Sequence, residues 1–258
     1  MPTVEAAIPR SALVTAGAKR IGRAIVDGLV ARGFAVAVHA NRSLAEAEAV
    51  AVAIRATGGR AAAVGADLAD GADVATLMER AEALVGPIGL LVNNASMFEI
   101  DGVANLDPAL LRHHLAVNLE APCLLASAMA ARLPDGADGL VVNIVDQRVW
   151  KPTPQFFSYS LSKSGLWWAT RTMAQALAPR VRVMALGPGP TLKSERQQAA
   201  DFARQVAAVP LGRGPSLAEF DRAIGFLLET PSLTGQMIAL DGGQHLAWET
   251  PDVVGVGE

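Results

Sequence analysis

Tyr159 and Lys163 stand four residues apart in the run Tyr159-Ser160-Leu161-Ser162-Lys163, at the start of an expected helix. That spacing puts a phenol and an ammonium on one helical face. A free tyrosine, with a pKa of about 10, transfers protons poorly at neutral pH; a nearby ammonium would favour the phenolate and lower that value. A second chemically suggestive stretch lies near the other end of the chain. In Leu13-Val14-Thr15-Ala16-Gly17-Ala18-Lys19-Arg20-Ile21-Gly22, small residues follow an apolar run and open a helical one. Such a turn lets the backbone approach a pyrophosphate, and a helix N-terminus offers N–H donors and partial positive charge.

Repeating strand and helix patterns must bring these two stretches together. Short runs rich in Val, Leu and Ile predict strands at Ala12–Thr15, Ala35–His39, Ala61–Gly65, Leu90–Asn93, Leu140–Val145, Val181–Ala185 and Met237–Leu240. Most lack polar alternation, as strands buried on both faces do. Amphipathic stretches near 20–32, 43–57, 71–84, 107–132, 158–178 and 216–229 predict the helices between them. Alternation this sustained implies one α/β domain over 1–258, a Rossmann-type doubly wound parallel sheet of about seven strands with helices on both faces. Two segments break the rhythm. Residues 187–213 open with Gly187-Pro188-Gly189-Pro190 and form a long connection, either a lid over the site or a surface loop. Residues 247–258 read as a tail.

The end of the second strand points to the ligand of the turn. A site preferring NAD carries Asp or Glu about 20 residues after the glycines, on the ribose 2′-hydroxyl. Here the chain reads Val38-His39-Ala40-Asn41-Arg42-Ser43, with no acid before Glu46. Arg42 offers a guanidinium fork for a 2′-phosphate, with Lys19 and Arg20 adding charge nearby, so NADPH is favoured. The expected cofactor-binding set is Thr15, Gly17, Arg20, Ile21 and Gly22 of the turn, with His39, Asn41, Arg42 and Ser43 after the second strand. Asp67 and Leu68 would hold the adenine edge. Asn94, Ala95 and Ser96 stand at the carboxyl edge of the sheet, where ligands bind in this architecture, and Gly189 opens the long connection.

With these motifs in this order, the chain resembles the short-chain dehydrogenase/reductase family from about Ala12 to His245. The resemblance implies that Tyr159 is the proton donor and that Lys163 binds the nicotinamide ribose and assists it. It further implies that Asn118, in Val117-Asn118, supports a water-mediated proton path and that the chain forms a homotetramer. Two departures stand out. The usual Thr-Gly-x-x-x-Gly-x-Gly turn has Ala16 and Arg20 at its first two glycines, which is harmless at Ala16 if φ there is negative. Thirteen residues before Tyr159, where the family has a substrate-binding Ser, stands Asp146.

A serine hydroxyl can donate to a developing alkoxide, whereas an ionised carboxylate would repel it. Asp146 therefore suits a substrate that presents N–H donors, or a ring nitrogen protonated after hydride arrives. Pterins offer both. The details resemble the pteridine reductases, with the dihydromonapterin reductases similar near the C-terminus: Lys19-Arg20-Ile21-Gly22, His39-Ala40-Asn41-Arg42-Ser43, Asn93 to Ser96 followed by Phe98, and Asp146. By that resemblance Arg20 and Ser96 contact cofactor phosphate and pterin, Phe98 sandwiches the pterin, and Asp146 works with Tyr159. Phe156 and Phe157 fit a pocket wall or the core equally. The reading is an NADPH-dependent reductase acting on a C=N bond of a pterin or dihydropterin. The alternatives are a carbonyl or sugar reductase of the same fold, and an idle NADPH-binding sensor.

Composition narrows the partners. The net charge is −3 and no basic run is present, which disfavours nucleic acid. No apolar run approaches the ~18 residues of a spanning helix, so no membrane partner is expected. Met1 to Arg10 lacks the features of a signal peptide, and the expected compartment is the cytoplasm. The lone Cys123 can form no internal disulfide and reads as a small core residue. His113 and His114 lack a third ligand at metal spacing, so no metal is expected. Of Trp167 and Trp168, one is expected to face the core and the other a subunit interface.

Overall fold

A computed structural model describes residues 7–249 and Val254. In chain order the elements are β1 (Ser11–Val14), α1 (Arg20–Ala31), β2 (Ala35–Ala40), α2 (Leu44–Ala56), β3 (Arg60–Gly65), α3 (Gly71–Val85), β4 (Leu90–Asn93), α4 (Pro108–Leu115), α5 (Ala121–Arg132), β5 (Gly139–Ile144), α6 (Phe157–Leu177), β6 (Val181–Pro188), α7 (Ala199–Ala207), α8 (Leu217–Glu229) and β7 (Met237–Leu240). All seven strands are parallel, in the order β3-β2-β1-β4-β5-β6-β7. The order reverses between β1 and β4. In such sheets ligands bind in the crevice beyond the carboxyl ends of the strands at that point.

The strand residues divide by parity. Ala12, Val14, Val36, Val38, Leu90, Val92, Leu140 and Val142 pack on one face against Ile25, Val26 and Leu29 of α1 and Phe220 of α8. Leu13, Ala37, Leu91, Val141 and Val183 pack on the other against Leu77 and Met78 of α3 and Leu125 and Met129 of α5. A period of two along each strand therefore serves two cores, which is why the strands read as continuous apolar runs.

The structure refines three sequence expectations. The helix expected over 107–132 divides into α4 and α5 around a π-helical turn, Ala116–Glu120, that carries Asn118. Such turns recur at functional sites. The run Pro108–Arg132 also corrects the expectation that nothing approaches a spanning helix, since its length and window mean hydropathy of 1.2 would suffice. Here Ala121, Leu125, Ala126 and Met129 of α5 feed the second core. The connection over 187–213 begins with the last two residues of β6, Gly187 and Pro188, and contains α7. Of the expected tail, 247–249 and Val254 are described, and the rest lies outside the described residues.

Candidate active site

The site is built where β5 ends and α6 begins. Asp101 fixes the start of α6 by accepting hydrogen bonds from the Ser158 N–H at 3.1 Å and from the Ser158 hydroxyl. Phe156, in the left-handed region at φ 57°, turns the chain into that helix. Tyr159, the residue after Ser158, is buried and donates to Asp146 Oδ2 at 2.8 Å. The other carboxylate oxygen, Oδ1, accepts from the Arg148 N–H at 2.9 Å and caps the turn Gln147–Val149. Both oxygens of Asp146 are thus held in place.

Lys163 is buried on the same face of α6 as Tyr159, and its ammonium donates to the Ile144 carbonyl at 2.7 Å. Burial lowers its pKa to about 8, with the Asp146 charge opposing. The tyrosine corrects the sequence expectation. Its pKa is raised well above the ordinary value, first by burial and then by the charge and hydrogen bond of Asp146, with Arg148 opposing. Tyr159 is therefore a neutral phenol that holds its proton, because burial and then the carboxylate beside it outweigh the Arg148 charge.

Asn118 is wholly buried and saturated. Its carboxamide accepts from the Met97 N–H at 2.8 Å and donates to the Met97 carbonyl at 2.9 Å and to Ser162 Oγ at 3.0 Å. It touches neither Tyr159 nor Lys163 through hydrogen bonds; it holds the loop after β4 against α6. That loop delivers Phe98, whose ring stacks on Phe156 at 4.4 Å and meets the Tyr159 ring edge-on at 4.7 Å. The Arg148 guanidinium lies 5.3 Å from the Phe156 centroid and 3.6 Å from Asp146 Oδ2.

The turn after β1 is lashed to its neighbours. Thr15 Oγ1 accepts from the N–H groups of Asn94 and Ala95 at 2.8 and 2.9 Å, and Asn94 Nδ2 donates to the carbonyls of Thr15 and Ala16. A Cβ at Gly22 would sit 2.3 Å from the Ala16 oxygen, so only glycine fits there. Ala16 and Arg20 have φ of 49° and 53°. The condition of negative φ at Ala16 is therefore not met, and both replaced glycines retain the left-handed backbone of the turn. Lys19 gives α1 no side-chain cap and its first turn holds no acid, so its N–H groups remain available to an anion.

Several residues expected to touch a cofactor also hold the protein together. His39 is buried; its Nδ1 accepts from the Ala16 N–H at 3.1 Å, and Nε2 donates to the Ala66 carbonyl at 3.1 Å. Those partners assign the Nε2–H tautomer, and burial lowers its pKa to about 4. The Leu68 side chain belongs to the second core. Asp67 accepts from the Ala69 N–H within its own turn. Gly189 is required by close packing, since a Cβ there would lie 2.6 Å from Asp241 Cα. By contrast Asn41 and Arg42 are exposed and Ser43 half-buried at the end of β2. Glu46, the first acid beyond them, is paired with Lys19 at 2.7 Å.

A cavity of about 680 Å³ gathers Arg20, Ile21, Phe98, Asp146, Phe156, Tyr159 and Gly189. Ser96 is exposed and lies outside this lining. The connection over 187–213 forms the far wall of this cavity. Arg20 donates to the carbonyls of Leu192 and Lys193 at 3.1 Å each, and Arg196 binds the Glu99 carboxylate and the Phe98 carbonyl. Sequence reasoning missed Gln147, Arg148 and Arg196 in this wall. The first two follow Asp146 directly, and a capping aspartate is the signal that could have placed them.

His114 is buried, its Nδ1 on the Leu110 carbonyl and its Nε2 on the Glu99 N–H. That is a packing role. Cys123 is half-buried, and burial raises its pKa. Trp167 packs against a small cluster of Val145, Leu166, Ala185 and Met237, while Trp168 is exposed.

A parallel sheet of this order, with a glycine-bearing turn at its switch point and a tyrosine–lysine pair on α6, defines a nucleotide-dependent oxidoreductase. The model of the short chain dehydrogenase family matches residues 10–203, and the chain belongs to that family. Within it the chain sits with the pteridine-reductase-like branch. It is similar to FolM alternative dihydrofolate reductase 1 from Brucella canis, crystallised with NADP: 59% identical, TM-score 0.92, covering 95% of this chain and 97% of that one. Pteridine reductase 1 of Leishmania tarentolae is 31% identical, over 91% of this chain and 96% of that protein. A 3-oxoacyl-acyl-carrier-protein reductase of Synechocystis is equally similar, 31% identical over 90% and 95%.

Proposed function

We propose that this chain is an NADPH-dependent reductase of pterin or dihydropterin rings, adding hydride to a C=N bond while Tyr159 delivers the proton. The observation that carries the reading is the Tyr159–Asp146 hydrogen bond at the wall of an aromatic-sided cavity. The names of the Brucella and Leishmania relatives support it.

The residues present fit the cofactor. The uncapped N-terminus of α1 and the turn held open by Gly22 suit a pyrophosphate. Arg42 and Ser43 stand ready for a 2′-phosphate, with the nearest acid already paired to Lys19. When bound, NADPH supplies the hydride. The chain supplies the rest. Phe98 offers a ring face and edge to a flat heterocycle. Asp146 is an acceptor for a ring N–H, a role the hydroxyl of a serine fills less well. The Tyr159 phenol keeps its proton until a basic ring nitrogen forms beside it, and the Lys163 ammonium, on the same helical face, stabilises the phenolate left behind. Arg20 and Arg196 hold the lid down and exclude water.

The test compares NADPH oxidation by wild type and Asp146→Ser with dihydrobiopterin, dihydromonapterin, dihydrofolate and a simple diketone. Pterin turnover in the wild type, falling about a hundredfold or more in the variant, is the expected result. Diketone turnover kept or improved by the serine, with no pterin turnover in either form, would overturn the reading in favour of a carbonyl reductase. On the exposed side of α6, Leu161 and Trp168 suit contact between copies in a homotetramer.

A further inference from the structure

Reduction of a C=N bond builds negative charge at a site that already holds a carboxylate. As the ring carbon takes hydride, the π pair moves onto nitrogen and stays there until a proton arrives. Asp146 stands at the same place, bonded to the Tyr159 hydroxyl that would give the proton. Like charges so close raise the barrier unless a cation faces them. Three cations near the cavity are committed elsewhere. Lys163 donates to the Ile144 carbonyl, Arg20 to the carbonyls of Leu192 and Lys193, and Arg196 to Glu99 and the Phe98 carbonyl.

Arg148 is different. Its Nη1 lies 3.6 Å from Asp146 Oδ2, the oxygen that binds Tyr159, and its guanidinium makes no hydrogen bond among the described residues. The side chain is 19% exposed, and, unlike Nε of Arg80, its nitrogens are not sealed inside protein. The guanidinium itself stands among the groups of the cavity wall. Its carbon is 5.3 Å from the ring centre of Phe156 and 5.8 Å from that of Phe98, and both rings line the cavity with Asp146. Its charge also reaches the Tyr159 phenol, where it opposes burial and Asp146.

We infer that Arg148 is a further catalytic residue, whose guanidinium faces the substrate ring and stabilises the negative charge left on its nitrogen. The inference deepens the pteridine reading and rests on it. A C–H bond forms on the ring as one breaks on NADPH, which becomes NADP⁺. The pair on nitrogen then takes the Tyr159 proton and leaves a phenolate. Arg148 exchanges no proton, since its guanidinium stays charged throughout. It offsets Asp146 and the ring charge together, so a carboxylate can stand beside the proton donor without blocking hydride transfer.

The test measures two quantities on the full chain: turnover of dihydrobiopterin at saturating NADPH, and binding of pterin to the NADP⁺-loaded chain by pterin fluorescence. Wild type, Arg148→Met, Arg148→Gln and Arg148→Lys are compared, with melting temperature and NADP⁺ affinity measured for each. Arg148→Met is expected to lower kcat about a hundredfold while pterin affinity stays within about threefold, because the charge appears only during reaction. Arg148→Lys, which keeps a point charge, should recover about tenfold of that loss. Should Arg148→Met fail to fold, Arg148→Gln carries the same comparison. A kcat within about twofold of wild type in the neutral variants would overturn the inference and leave the pteridine reading standing. Pterin affinity falling as far as kcat would also overturn it, since Arg148 would then only support Asp146 and Phe156. So would a lysine variant as slow as the neutral ones. A wild type that turns over no pterin overturns the pteridine reading and this inference together.

Discussion

The Tyr159 hydroxyl donates to Asp146 Oδ2 across 2.8 Å, and the same carboxylate caps the following turn through Oδ1. The pair places a phenol and a carboxylate side by side, where a serine would place two hydroxyls. Charge, rather than shape, is what this substitution changes at the reacting edge. The same charge holds the phenol's pKa up, while the lysine that might have lowered it is buried and its own pKa depressed.

The buried Lys163 sets stability against activity. Its folded pKa of about 8 lies below the ordinary lysine value of 10.5, so stability is fullest above about pH 10.5 and is lost as pH falls toward about 8, where the folded chain takes up its proton. Lys163→Met should therefore raise stability at neutral pH by about 1–2 kcal/mol, after allowing for the Ile144 carbonyl left without its donor, and should abolish turnover. Urea denaturation alongside a turnover assay checks both; a variant less stable than wild type contradicts the argument.

Activity that depends on the Lys163 ammonium should fall as pH rises through about 8. A pH profile of turnover for the cofactor-saturated enzyme, flat from about 6 to 7.5 and declining above, is the expected result. A profile that keeps rising past about 9 would show that the charged lysine is not required.

His39 ties acid stability to the nucleotide turn. Its pKa is lowered from 6.5 to about 4 by burial, so its contribution is intact above pH 6.5 and lost progressively as pH falls toward about 4. The loss should amount to about 3 kcal/mol. Protonation would also remove the acceptor on Nδ1 that holds the Ala16 N–H. Denaturation midpoints between pH 7 and 4 should fall less steeply in His39→Asn than in wild type. Equal slopes would mean that His39 does not resist protonation.

The left-handed Ala16 carries strain that glycine would not. Replacing Ala16 by Gly should stabilise the protein by about 0.5–1 kcal/mol, since an L-residue in this region costs about 1–2 kcal/mol and the looser unfolded chain returns part of that. Arg20→Gly should relax the backbone similarly but free the lid, because the guanidinium bonds to the Leu192 and Lys193 carbonyls go with it. Its signature is a raised KM for substrate with little loss of melting temperature.

Arg42 should decide between the two nicotinamide cofactors. Arg42→Ala is expected to weaken NADPH by about tenfold or more while leaving NADH affinity nearly unchanged, because only NADPH carries the 2′-phosphate. Equilibrium titration with each cofactor measures the ratio. Equal losses for both would place the phosphate elsewhere.

The local parts of this protein were written in its sequence. Uninterrupted apolar runs alternating with amphipathic ones specified strands buried on both faces, and a four-residue spacing placed Tyr159 and Lys163 on one helical face, because both are short-range consequences of backbone geometry. The glycine-bearing turn and the absence of acid before Glu46 were legible for the same reason. What tertiary structure decided were relations between segments distant along the chain. The tyrosine's pKa turns on burial and on a carboxylate arriving from the end of β5, and so runs opposite to the expectation from its own helix. His39, Leu68 and Gly189 were read as cofactor contacts from their place after strands; what the tertiary structure added is their contact with Ala66, the second core and Asp241. Ala16 takes a backbone that its residue type disfavours, a choice imposed by Asn94, His39 and the close approach of Gly22. Gln147, Arg148 and Arg196 carry no spacing signature, because a cavity wall gathers side chains by proximity in space, which sequence periodicity does not encode.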